Sequence, residues 1–96
     1  MARSKTFAQR FPARDSQMIG VLGRNVRRLR KARGWTQESL AAEARIEQTA
    51  VSLIENGRAN PTLLAVEDLA AALGVGFLDL FRPDSLPRSS SKPRNR

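Results

Sequence analysis

The stretch from Thr36 to Gly57, TQESLAAEARIEQTAVSLIENG, decides how this chain folds. Thr36 offers a hydroxyl that caps free backbone N–H groups, and Glu38 sets a negative charge in the first turn, where the helix dipole favours it. Trp35 just before the cap and Leu40 inside the helix supply the two ends of a hydrophobic staple. Leu40, Ala41 and Ala44 carry the apolar face to a break near Arg45. A second short helix spans about 47–56 and turns Ala50, Val51 and Ile54 inward. Gly57 ends it at a position where a left-handed residue is least strained. Only about three residues join the two helices, which predicts a tight hairpin of short helices.

Outward from this centre the same periodicity continues. Upstream, Ile19, Leu22, Val26 and Leu29 recur on one helical face, and Gly34 follows as a stop. Downstream, Asn60-Pro61-Thr62 restarts the chain with Thr62 as the next cap. Leu63, Val66, Leu69, Ala70 and Leu73 give a fourth helix its buried face, and Gly74 stops it. Phe77, Leu80 and Phe81 form a last turn or two that closes the core. No run shows sustained strand alternation, so the fold class is all-α, a compact bundle of four to five short helices. Residues 1–17 read as a flexible basic arm and 18–81 as the folded domain. Residues 82–96, with three prolines and four serines among basic residues, read as a disordered basic tail.

Composition bounds the function. The chain has 96 residues, enough for one small domain, and it contains neither Cys nor His. Disulfides, thiol nucleophiles, thiolate metal sites, the usual zinc sites and imidazole general bases are thereby excluded, and most enzyme classes with them. Since no cluster pairs a nucleophile with a base and no cofactor module follows the central helices, no enzyme, no metal site and no cofactor is expected. The most apolar stretch, Leu63 to Phe81, is interrupted by Glu67, Asp68 and Asp79 and reads as core, not as a membrane span. The formal charge of +8 is polarised. Residues 1–33 hold ten basic residues and one acid, residues 34–81 two basic residues and seven acids, and residues 82–96 five basic residues and one acid. Basic ends around an acidic middle favour a polyanionic partner.

The two central helices have the spacing of a helix-turn-helix. With Gln37 as the first motif position, a small residue, Ala41, is fifth and a β-branched one, Val51, fifteenth, while Leu40, Ala44, Ile46 and Ile54 fill the other inward positions. Ala41 is small where the helices cross, and Val51 and Ile54 anchor the second helix so that its opposite face stays outside. The Leu-Arg pair before Gly34, Thr36-Gln37-Glu38, Ser52-Leu53-Ile54-Glu55-Asn56-Gly57 and Asn60-Pro61-Thr62 extend the pattern over roughly 20–81. In this combination the chain resembles the phage repressor and Cro-type (XRE) helix-turn-helix family, whose fold is lambda-repressor-like and which includes restriction-modification controllers.

The resemblance implies that helix 47–56 lies in the major groove of double-stranded DNA. Its outward face then comprises Thr49, Ser52, Leu53 and Asn56, with Gln48 on the flank near the helix start, and Gln48, Thr49, Ser52 and Leu53 are the candidates for base edges. A carboxamide pairs bidentately with adenine, which makes Gln48 the leading base reader. Phosphate contacts fall to Gln37 at the start of the preceding helix, and to Asn56 and Arg58 after the recognition helix. Arg30 lies on the helical wheel beside an apolar face, and the family pattern pairs it with Glu55 as a structural ion pair. Two positions depart from the pattern. Arg45 stands where Gly is usual, and Glu47 replaces the usual Ser or Thr cap.

The expected function is that of a sequence-specific transcriptional regulator, repressor or activator, binding a palindromic operator as a homodimer. The fourth and fifth helices, with Leu64, Leu78 and Phe81, form the expected dimer surface, and Glu67, Asp68 and Asp79 a face turned from DNA. The basic arm and tail steepen the salt dependence, each added phosphate contact contributing roughly −0.9 to the log-log slope. The expected location is cytoplasmic, on the nucleoid. The alternative is an antitoxin-type or other protein-interaction module whose DNA binding is secondary. Its mark would be a stoichiometric small protein partner.

Overall fold

The computed structural model describes residues 5–12 and 16–83. Five α-helices, α1 (Phe7–Arg10), α2 (Gln17–Ala32), α3 (Gln37–Ala44), α4 (Gln48–Glu55) and α5 (Leu63–Leu73), precede a 3₁₀ helix over Phe77–Phe81. No strand occurs among the described residues.

Local chemistry sets the helix boundaries. The Ser16 hydroxyl accepts from the Ile19 N–H at 3.2 Å and starts α2. The Thr36 hydroxyl accepts from Ser39 N–H at 3.0 Å, and the Thr62 hydroxyl from Ala65 N–H at 3.0 Å. Each bond satisfies one of the donors that a helix start leaves unpaired. Arg45 adopts φ 60° and ψ 42°, a left-handed conformation that the turn between α3 and α4 requires despite the Cβ. Glu47 occupies the N-cap of α4 and makes no side-chain capping bond. Gly57 follows α4 with φ 69°, the conformation that only glycine adopts without strain.

Leu22 and Val26 of α2, Leu40, Ala41 and Ala44 of α3, Val51 and Ile54 of α4, Val66, Leu69, Ala70 and Leu73 of α5, and Leu80 meet in one core. Removing a leucine or valine side chain from water this completely is worth about 1.5–3 kcal/mol. Close packing of α2 on the end of α4 depends on Gly23, where a Cβ would overlap the carbonyl oxygen of Ile54. Asn25 is fully buried among these apolar groups. Its Nδ2 donates to the carbonyls of Leu80 at 2.9 Å and Arg82 at 2.6 Å, and its Oδ1 accepts from Arg28 at 3.0 Å. The carboxamide thus staples the 3₁₀ helix to α2.

Leu63, Phe81 and the segment 1–17 each depart from one of the expectations above. Leu63 is 71% exposed rather than buried, because it opens α5 and lies roughly 70° from the centre of the buried face. Phe81 is half-buried against the core, its ring 5.4 Å from that of Phe77, as its place in the closing turn predicts, and so it leaves the expected exposed dimer surface. Inside the segment 1–17 stands α1, closed by a capping box: Gln9 N–H donates to Thr6 Oγ1 at 3.1 Å and Thr6 N–H to Gln9 Oε1 at 2.9 Å. Of the expected tail, residues 84–96 lie outside the described residues.

Candidate nucleic-acid interface

Helix α4 packs on α2 and α3, burying Val51, Ile54 and Glu55. That choice of face leaves Gln48 and Thr49 exposed and Ser52 and Leu53 half-buried on the opposite side. A concavity of about 320 Å³ runs beside them, lined by Gln48, Thr49 and Ser52 of α4, Gln37 at the start of α3, and Phe7 of α1. Three of the four base-reading candidates and one phosphate candidate therefore share one depression. Leu53, Asn56 and Arg58 are not among the residues lining it.

The orientation of α4 is held by Glu55, whose side chain is fully buried. Arg30 grips both carboxylate oxygens, Nε to Oε2 at 2.7 Å and Nη2 to Oε1 at 3.1 Å, and its Nη1 donates to the Trp35 carbonyl at 2.8 Å. Arg27 reaches Oε1 at 3.4 Å and the Gln37 amide donates to the same oxygen at 3.0 Å. Burial pushes the Glu55 carboxyl up, but the Arg30 bonds, the Gln37 amide, the Arg30 charge and Arg27 outweigh it and hold the carboxyl below its ordinary range. One carboxylate at the end of α4 is thereby bonded to α2 and to the first residue of α3, fixing the three helices relative to each other.

The phosphate candidates each hold an intramolecular partner. The Gln37 amide is bonded to Glu55. Asn56 Nδ2 donates back to the Ser52 carbonyl at 2.8 Å, so this side chain closes the end of α4. Arg58 Nη1 donates to the Phe11 carbonyl at 2.7 Å, and its guanidinium stands 5.9 Å from the centre of the Phe7 ring. Phe7 and Phe11 thus enter the site without having been read from the sequence as site residues. The signal was available: Thr6-Phe7-Ala8-Gln9 has the spacing of a capping box, and two aromatic residues four apart meet on a helical turn.

The family model for helix-turn-helix domains, HTH_3, matches residues 26–80, which contain α3, the turn and α4 entire. An uncharacterised HTH-type transcriptional regulator of Sinorhizobium fredii, y4dJ, is 41% identical over 66 residues, covering 69% of this chain and 86% of that protein. Among solved structures, the hypothetical transcription factor NHTF from Neisseria superposes with a TM-score of 0.69 at 34% identity, over 78% of this chain and 92% of that one. The restriction-modification controller C.AhdI of Aeromonas hydrophila superposes with a TM-score of 0.64 at 33% identity, over 66% of this chain and 96% of that one. The surface of α4, the buried clamp behind it and these likenesses agree: the chain belongs to the XRE-type helix-turn-helix family of DNA-binding transcriptional regulators, which are not enzymes.

Proposed function

We propose that this protein reads a palindromic operator in double-stranded DNA as a homodimer, with α4 of each protomer in the major groove. The observation that carries this reading is the division of α4 into two faces. One face is buried in the core and clamped through Glu55, and the other presents Gln48 and Thr49 to solvent beside the start of α3. In this role Gln48 pairs with the N6 and N7 edge of an adenine, Thr49 and Ser52 take hydrogen bonds at base edges, and Leu53 packs on a thymine methyl. Gln37, Asn56 and Arg58 sit at the ends of α3 and α4, where the phosphate backbones flank the groove, and they exchange their present partners for phosphate oxygens.

Two protomers place their α4 helices about 34–36 Å apart, one turn of duplex, so one DNA face serves both. Leu63, Leu64 and Leu78 support a protomer contact through α5 and the 3₁₀ helix: they are 71%, 66% and 71% exposed. No helix among the described residues is long and apolar enough to cross a membrane, and DNA is the partner of a cytoplasmic protein on the nucleoid. Native mass spectrometry on an inverted-repeat duplex tests the assembly. Two chains per duplex, with a half-site duplex holding one chain more weakly, is the expected result. A single chain on the full repeat would refute the dimer.

A further inference from the structure

Residues 7–11 stand at the edge of the surface that DNA would take, with Phe7 beside Gln48 and Thr49 and both Phe7 and Phe11 on Arg58. We propose that this aromatic clasp borders the DNA-facing site and occupies Arg58 in the free protein, and is displaced when duplex binds, so that clasp docking and DNA binding compete. The inference rests on the interface reading above. Two contacts carry it. Phe7 forms one wall of the same concavity as Gln37, Gln48, Thr49 and Ser52, so its ring narrows the approach of a base edge or sugar to them. Arg58, the cation nearest the end of α4 in sequence, is engaged twice by the same segment, through the Phe11 carbonyl and the Phe7 ring. A phosphate oxygen is a stronger acceptor for a guanidinium than a neutral carbonyl, so DNA outcompetes the clasp at Arg58.

The construction of the segment suits displacement. Its capping box and the 5.3 Å contact between the Phe7 and Phe11 rings give it local shape. Yet α1 buries no residue, and Phe7 remains 46% exposed. Nothing in the core therefore depends on it. If the clasp is closed about nine-tenths of the time, the apparent dissociation constant for DNA is raised about tenfold, since only the open fraction binds. Lys5 precedes the aromatic residues and Arg10 lies between them, so removing the rings differs from removing the charges of the arm.

The test compares the full-length chain with its Thr6→Ala/Phe7→Ala variant, which keeps every charge. Fluorescence anisotropy on a labelled duplex of mixed sequence, repeated over a salt series, gives affinity and salt slope. The variant is expected to bind about three- to tenfold tighter with an unchanged slope, because Arg58 ends on phosphate in both complexes. Its melting temperature is expected to match that of the parent chain. Equal or weaker binding by the variant overturns the clasp while leaving the interface standing. A lowered melting temperature makes α1 part of the fold and also overturns it. Failure of both chains to bind duplex removes the interface reading and the clasp with it.

Discussion

Replacing Glu55 by alanine is the perturbation that most exposes how the site is built. The carboxylate is fully buried and Arg30 only 10% exposed at the side chain, so the substitution strands a guanidinium where water barely reaches. Breaking one side of such a pair costs about 3–5 kcal/mol. The Gln37 amide loses its acceptor too, but it is half-buried and water can replace the bond. Arg27, with 45% of its side chain exposed, adds little. A domain of this size has roughly 3–10 kcal/mol of total stability, so the single loss takes about three-tenths of it or more. At about 4–8 °C per kcal/mol, melting falls by well over 10 °C. The double variant Arg30→Met/Glu55→Leu replaces the charge pair by apolar groups and recovers most of the loss, short of about 1 kcal/mol for the Trp35 carbonyl that Arg30 no longer serves. Urea denaturation of the parent, Arg30→Met, Glu55→Leu and the double variant closes a double-mutant cycle, in which the double is expected to lose at least about 3 kcal/mol less than the two singles together. A single variant that loses under about 1 kcal/mol, or losses that simply add, would refute the clamp.

Further outcomes follow from the same geometry. Because the folded chain holds the Glu55 carboxyl below its usual range, the unfolded chain takes up that proton first as pH falls. The stabilisation is thus fully present above glutamate's ordinary value of about 4.3 and is lost on descending through the lower folded value. Denaturation midpoints against pH give this acid limb, which flattens in Glu55→Gln; an unchanged limb would contradict it. Arg45→Gly relieves a left-handed Cβ worth about 1–2 kcal/mol, less about 0.5–1 kcal/mol for the freer unfolded chain, so thermal melting rises slightly. A fall on that substitution would mean that the Arg45 side chain holds the turn. Gln48→Ala costs about 1–3 kcal/mol on the preferred duplex and relaxes the preference at one base pair, leaving mixed-sequence binding unchanged. Competition titrations on single-base variants distinguish this from a uniform loss.

What the sequence made legible was local. Thr36 and Thr62 act as caps because the chemistry of a cap involves residues three positions apart, and Arg45 takes the left-handed turn because its neighbours on both sides are committed to helices. Asn25 was not legible, since the carbonyls it serves are 55 and 57 residues away and only the folded packing brings them near. Leu63 illustrates the limit of periodicity: the correct spacing at the first turn of a helix does not guarantee that anything covers it. At the site, the outward placement of Gln48 and Thr49 followed from the inward placement of Val51 and Ile54. The bond of the Gln37 amide to Glu55 did not, because it links two helices through a carboxylate already shared with α2.

The central claim, that α4 reads DNA sequence as one half of a symmetric pair, is tested most directly by selection from a random double-stranded library at near-physiological salt, followed by sequencing. The account predicts enrichment of an inverted repeat whose half-site centres lie about one helical turn apart, with an adenine contacted by Gln48 in each half. Retained DNA without an enriched motif would contradict it and reduce the protein to a backbone binder. No retained DNA would contradict it outright and move the function to a protein partner.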